Sequence, residues 1–363
     1  MNMPLIQADT GILQENARVI LDACRRQGVQ LAAVTKGVCA EPCIARALLD
    51  AGADMLADAR IPNLNRLPLD KPRMLLRIAD PQEAEAVVSS CEYSLQSTPQ
   101  ALAALGKAAR KLGRRHQVIL MIDLGDLREG IFYQDGNRIL NTAALALSQE
   151  GLTLAGLGAN LTCFGGILPD ENNMGILLEW ARRIRNHFGI PLPLVSGGNS
   201  SSLYLLLNGR LPGGINHLRV GEGLLLGMDT SVGKPLAQLS QRAFTLFARL
   251  VEVYEKPSRP VGKAGPNAFG ETVSFEDQGP MARGILAIGR QDTDQDGLTP
   301  ADGQIRVLGS SSDHLLVDLT QAPEYRVGDV LGFYPTYSAL LKAYTSAYVA
   351  KSCLDKEGNL VHE

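Results

Sequence analysis

A chain of 363 residues is long for one ordinary domain and comfortable for a large α/β unit with a smaller companion. With 45% hydrophobic residues, 20% charged residues and a formal net charge of −3, it lacks the basic excess of a nucleic-acid binder, so a small molecule is the expected partner. No stretch is apolar for long enough to cross a bilayer, and the N-terminal segment reads as neither a secretion signal nor a transit peptide. Six unevenly spaced cysteines suit reduced thiols, so the expected compartment is the cytoplasm.

In chain order, short runs suited to buried strands alternate with helical stretches. The runs are "LAAVT" (31–35), "DMLAD" (54–58), "RMLLRI" (73–78), "YSLQ" (93–96), "QVILMID" (117–123), "TLAGLGAN" (153–160), "PLVSGG" (193–198) and "HLRVGEG" (217–223). Between them lie amphipathic or alanine-rich segments such as "PCIARALLDAG", "TPQALAALGKAARKLG" and "NMGILLEWARRIRNHFG". Alternation of this kind implies parallel strands with right-handed crossovers, and its extent matches a closed (β/α)8 barrel of the TIM type; an open doubly wound sheet is the alternative. From "QRAFTLFARLVEVYEK" onward, apolar-polar alternation in "RGILAIG", "QIRVLG", "HLLVDL" and "DVLGFY" predicts a mostly antiparallel β domain. The expected division is residues 1–230 for the barrel and 231–363 for the β domain, with the polar stretch 227–240 between them.

In such a barrel the site is built from the C-terminal ends of the strands. Lys36 stands at the first of these ends. A lone loop lysine is ordinarily solvated; held in a partly desolvated mouth it can instead form a Schiff base with an aldehyde cofactor. After the seventh strand, "GGNSSS" (197–202) sets two glycines before Asn199, Ser200 and Ser201, a pattern that caps a helix and can receive a phosphate. After the eighth, Arg219 lies in an apolar stretch where a charge needs a partner.

Together, "AVTK", "GGNSSS" and "HLRVGEG" resemble the alanine racemase family of pyridoxal 5'-phosphate enzymes. The resemblance implies that Lys36 carries the Schiff base, that Asn199, Ser200 and Ser201 form the phosphate loop, and that Arg219 faces the pyridine nitrogen. It extends to "MIDLGDLREGI" (121–131), implying a substrate-side Arg128, and to "TYSALLKAYTSAYVAK" (336–351), implying that Tyr337 contacts the phosphate. "TKGVCAEPCIARALLDAGADMLADARIPNL", "FEDQGPMARGILAIGRQDTD" and "LGSSSDHLLVDL" are similar to the ornithine racemase branch. That implies racemisation of a basic amino acid, ornithine first with lysine and arginine as competitors, in a homodimer whose subunits complete one another's sites. A non-catalytic cofactor carrier and a metal-dependent D-amino-acid aldolase or dehydratase are the rivals.

Two departures from the family pattern matter. Where alanine racemases place a catalytic tyrosine after an Ile-Gly pair, this chain has Arg290, and where the family has a histidine near the sixth strand end it has Asn160. Racemisation by two bases needs a proton acceptor opposite Lys36. His314 leads, as the imidazole among the candidates, ahead of Asp313, Asp292 and Tyr337; a one-base route through Lys36 is the alternative. Asp313, with Asp58, Asp123 and Asp126, offers a carboxylate for a distal ammonium. The "DTDQDGLTPADG" segment (292–303) lacks the glutamate of a calcium loop and reads as a turn, and Cys39 and Cys43 lack the second pair of a zinc site; no metal is expected.

Overall fold

A computed structural model of the chain describes residues 2–272 and 274–361. After β1 (Leu5–Asp9), which lies outside the barrel, come β2 (Gln30–Val34), β3 (Met55–Asp58), β4 (Arg73–Leu75), β5 (Tyr93–Gln96) and β6 (His116–Asp123). A short β7 (Ile131–Phe132) extends the end of β6, and β8 (Leu152–Gly158), β9 (Leu194–Ser196) and β10 (His217–Val220) follow. Hydrogen bonds run in the order β5-β4-β3-β2-β10-β9-β8-β6, and the pairing of β5 with β6 closes the ring. Every one of these pairings is parallel, so the closed barrel expected from the strand pattern is present, at the positions read from sequence. Burial on both faces explains why the strands read as short apolar runs rather than alternating ones. Ala32, Val34, Met55, Ala57, Met74, Leu95, Ile119, Met121 and Leu194 pack together as one core cluster. Small alanines opposite long methionines let the layers interdigitate.

The crossover helices start on side-chain caps. Thr98 accepts from the Ala101 N–H (3.3 Å), Asp135 from Arg138 (3.1 Å), and Asp170 forms a reciprocal capping box with Asn173. Proline opens the helices Pro42–Asp50 and Pro99–Lys111, where its missing N–H costs nothing.

The chain divides into two compact units, Thr10–Gln241 and Met1–Asp9 together with Arg242–Glu363. This differs from the 230/231 division at both ends. The 227–240 stretch stays with the barrel unit because Asn16, on the helix Thr10–Arg26, holds Ser240 through two backbone hydrogen bonds of 2.8 Å. The first nine residues join the β unit because β1 pairs antiparallel with Phe244–Pro257 and parallel with Ala350–Leu354. That second pairing is parallel in an otherwise largely antiparallel sheet, which also contains Pro280–Leu286, Arg306–Ser310, Leu315–Asp318 and Val330–Pro335.

Cys24, Cys39, Cys91 and Cys163 are free thiols, whereas Cys43 and Cys353 are disulfide-bonded, so the expectation of six reduced thiols holds for four. Segment 292–303 contains the 3-10 turn Gln295–Gly297; Asp292 accepts from the Ser346 hydroxyl (2.6 Å) and Asp294 from Ser338 (2.5 Å). Asp292 is buried, so the structure gives this carboxylate an internal partner rather than a free role as a base. Among the described residues, no group of three or more His, Cys, Asp or Glu could hold a metal ion, and no helix is long and apolar enough to cross a membrane.

Candidate active site

At the C-terminal end of β2 the buried Thr35 hydroxyl donates to Asp58 Oδ2 (2.9 Å) at the end of β3, tying two neighbouring strand ends. Lys36 then opens the 3-10 turn Lys36–Val38, exposed where Thr35 is buried. Cys39 (φ 49°) and Ala40 (φ 54°) follow in the left-handed region, which residues with a Cβ rarely adopt. Such strain persists only where the surroundings impose it; here the Ala40 N–H is drawn back to the Thr35 carbonyl (3.2 Å). Lys36 lines a cavity of about 300 Å³ with Ala59, Leu76, Arg77, Ile78, Arg128 and Glu129. Burial raises the carboxyl of Glu222, just beyond β10, above the usual range, and the Lys36 charge partly offsets the rise.

Arg128 sits on the loop after β6 and pairs with its neighbour Glu129. That loop is folded tightly: Leu127 is left-handed (φ 57°), and a Cβ on Gly130 (φ 128°) would lie 2.5 Å from the Asp123 backbone nitrogen, so only glycine fits. The Glu129 carboxylate accepts from Asn160 Nδ2 (3.0 Å), Asn160 Oδ1 accepts from Asn199 Nδ2 (2.6 Å), and Asn199 Oδ1 accepts from the Ser201 N–H (2.8 Å). One polar chain thus joins the loops after β6, β8 and β9. Asn199 spends its side chain on this chain and on capping the turn Ser200–Ser202, which leaves phosphate recognition to backbone amides and hydroxyls nearby. The Ser200 hydroxyl is itself occupied, accepting from the Gly221 (3.2 Å) and Gly223 (3.1 Å) amides, and Ser201 Oγ points to the Leu161 carbonyl (3.5 Å).

Arg219 is buried in β10, and among the described residues no carboxylate is hydrogen-bonded to it. Its guanidinium donates to Ser196 Oγ and to the Ala159 carbonyl (2.7 Å). Burial lowers it to about 10, still protonated at neutral pH. Asn160, standing where the family histidine was expected, binds Glu129 and Asn199; the neighbouring Ala159 carbonyl holds the arginine.

The three aspartates named as possible ammonium receptors in the barrel have other work. Asp58 accepts from Thr35, Asn63 and the Arg60 amide, Asp123 from the Gly125 and Leu127 amides, and Asp126 from the Cys163, Phe164 and Ile167 amides. These are loop anchors, not free carboxylates. In the β unit, Asp313 and His314 are exposed on the turn between Arg306–Ser310 and Leu315–Asp318. Asp313 accepts from Gln291 Nε2 (2.9 Å) and Ser312 Oγ (2.8 Å). Tyr337 is half-buried at the start of the helix Tyr337–Thr345. Arg290 is locked by Glu271 through two bonds (3.0 and 2.9 Å) and lies 4.2 Å from the Phe269 ring centre, an arrangement that keeps it charged and unable to accept a proton.

Sequence reasoning missed Glu129, Ser196 and His217. The available signal for the last two was a polar residue at the same level of two adjacent buried strands, since His217 and Ser196 are register partners. His217 Nδ1 lies 2.7 Å from Ser196 Oγ, and His116 Nε2 lies 2.7 Å from Ser94 Oγ. Burial lowers His217 to about 3, helped by the Arg219 charge, and lowers His116 to about 4. Both stay neutral in the folded chain at a pH where an unfolded imidazole, near 6.5, takes up a proton. The unfolded state therefore binds more protons as pH falls from about 6.5 towards 4 and 3, and stability is lost across that window at about 1.4 kcal/mol per pKa unit for each ring. The urea midpoint of the cofactor-free chain is expected to fall steadily from pH 7 to pH 5, ahead of most carboxylate titration. A flat midpoint over that range would contradict the two neutral rings.

Residues 8–228 match the family described as alanine racemase, N-terminal domain. The chain is 43% identical over 353 residues to an ornithine racemase of Acetoanaerobium sticklandii, spanning 97% of this chain and 99% of that one. It is 39% identical over 343 residues to a lysine racemase of Thermotoga maritima, spanning 93% and 95%. Among solved structures, the fold is similar to that of an alanine racemase from Streptomyces lavendulae, with a TM-score of 0.77 at 19% identity, covering 98% of this chain and 97% of that one.

Proposed function

Since the chain belongs to the alanine racemase family, we propose that it racemises a basic amino acid, ornithine first and lysine next, with pyridoxal 5'-phosphate as cofactor. The observation that carries this reading is the Lys36 amine, exposed at a barrel strand end and lining one cavity with Arg128 and Glu129, in a chain similar over nearly its whole length to racemases of ornithine and lysine. The same full-length similarity disfavours the carrier and the aldolase or dehydratase readings.

The donor set fits the cofactor. Arg219 is a buried cation whose hydrogen bonds go to a hydroxyl and a carbonyl, so further guanidinium N–H donors remain for a ring nitrogen. Lys36 would hold the group covalently, Arg219 would face its ring, and Asn199, Ser200, Ser201 and Tyr337 would surround its phosphate, with Asn199 acting through the turn it caps. When bound, pyridoxal 5'-phosphate supplies an aldehyde that captures the substrate amine and a conjugated ring that takes up the electron pair left at the α-carbon.

The side chains divide the remaining work. Arg128 receives the substrate carboxylate, exchanging Glu129 for it, and Glu129 stays fixed by Asn160. Lys36 Nζ removes or returns the α-proton on one face, and His314 is the proposed carrier on the other. Arg219, protonated and able only to donate, would disfavour a proton on the ring nitrogen and so favour return of the proton to the α-carbon. Asp313 is the proposed receptor for the distal ammonium. We further propose a cytoplasmic homodimer.

Incubating the loaded protein with L-ornithine, L-lysine, L-arginine and L-alanine separately in heavy water, without added metal, is expected to yield deuterated D-ornithine and D-lysine by chiral chromatography and mass. Absence of both inversion and exchange with cofactor bound would overturn the racemase reading.

A further inference from the structure

Arg219, Ser196 and His217 form a buried relay, and the direction of its first bond is set by chemistry. A guanidinium only donates, so Ser196 Oγ is the acceptor of the Arg219 bond. An acceptor for the single hydroxyl proton of Ser196 lies 2.7 Å away at His217 Nδ1. With that bond made, the order is Arg219 N–H to Ser196 oxygen, then Ser196 O–H to His217 Nδ1, which places the imidazole proton on Nε2, buried and without a hydrogen-bond partner among the described residues. The register supports it: His217 and Ser196 are paired across β10 and β9, and Arg219 follows His217 by two residues on the same face of β10. All three side chains are buried, so water cannot substitute for a missing partner without reorganisation.

We propose that His217 is a positioning residue for Arg219. By taking the Ser196 proton it turns the hydroxyl oxygen toward the guanidinium, and together with the Ala159 carbonyl this fixes the guanidinium plane at the barrel mouth. A second buried pair, Ser94 with His116, has the same 2.7 Å spacing, but there the serine oxygen accepts from Gln96 Nε2 (3.0 Å) and, among the described residues, from no arginine, so it supplies an internal comparison for a purely structural serine-histidine contact. The kinetic part of the proposal rests on the racemase reading; the proton order does not.

The test has two arms, on the cofactor-loaded protein. With ring-15N histidine, His217 is expected to be the Nε2–H tautomer with Nδ1 accepting a hydrogen bond, and Ser196→Ala is expected to shift the Nδ1 resonance to that of an unbonded nitrogen. An Nδ1–H tautomer in the unsubstituted chain overturns the proposal whatever the enzyme does. In the kinetic arm, Ser196→Ala and His217→Leu are expected to lower kcat about 10- to 100-fold with KM little changed, the loss that removing a hydrogen bond to a charged group is worth. His217→Asn, which can present its amide oxygen near the Nδ1 position, is expected to recover kcat to within about threefold. His116→Leu is expected to lower the thermal midpoint and leave kcat per folded molecule as it was. Should His217→Leu fail to fold, Ser196→Ala carries the arm alone. Wild-type kcat in Ser196→Ala would overturn the proposal, whereas an inactive unsubstituted chain with the expected tautomer would overturn the racemase reading alone.

Discussion

Lys36→Ala is expected to lower racemisation by at least about 10⁴-fold, to the limit of detection, with the fold intact. Two structural facts separate these effects. The Lys36 side chain is exposed, so removing it creates no cavity, and surface truncations of this kind usually change stability by no more than about 0.5 kcal/mol. The strained turn that presents the amine is held by backbone bonds, from Ala40 to Thr35 and from Thr35 to Ala57, and by the Thr35 hydroxyl on Asp58; alanine disturbs none of them. The cavity with Arg128 and Glu129 therefore survives while its lysine is gone. The measurement is chiral product formation alongside a thermal midpoint. Turnover within about tenfold of the unsubstituted chain would assign both covalent capture and proton transfer to another group. A midpoint lowered by many degrees would show instead that the amine holds the strand end together.

What sequence could and could not reveal follows from the range of the interactions involved. The barrel strands were legible because parallel strands buried on both faces must be short apolar runs, and "LAAV", "VILMID" and "LVS" have no other plausible place. Lys36 and Arg219 were legible as charges at the edge of such runs, where solvation alone would not put them. β1 was not, because "LIQAD" carries no mark of the strand Phe244–Pro257 with which it pairs. Nor could pattern separate a carboxylate free for substrate from one spent on backbone amides: Asp58, Asp123 and Asp126 look alike in sequence and differ in use only because distant loops come to them. Asn199 caps the turn after β9, and its partner Asn160, on another strand end, was visible only as a replacement for the family histidine.

Asp126 carries the largest stability effect. Its carboxylate is buried and gathers three backbone donors from the loop after β8, Cys163 (3.1 Å) and Phe164 (3.0 Å) on Oδ2 and Ile167 (3.1 Å) on Oδ1. Its own carbonyl accepts from Gly165 (3.1 Å), and a Cβ on that glycine would approach the same carbonyl to 2.8 Å, so the two loops close on one another with little slack. Asp126→Ala removes the acceptor of three backbone amides at once. The donors sit on exposed residues that water reaches, so each of the three lost bonds counts for about 0.5–1.5 kcal/mol net and the cost is about 2–4 kcal/mol. The same stitch holds Leu127 left-handed and sets Arg128 and Glu129 opposite Asn160, so catalysis should suffer with stability, by roughly a hundredfold in kcat/KM. Asp126→Asn keeps one oxygen but turns an N–H₂ toward amides that also donate, and should fall between the two. Denaturant melts and kinetics on the two variants would check this. A loss under about 0.5 kcal/mol in Asp126→Ala would mean that the loops hold their shape without the carboxylate, and the placement of Arg128 would then need another cause. The contrast with Lys36 is the informative part: one substitution removes chemistry from a standing site, and the other lets the site come apart around its chemistry.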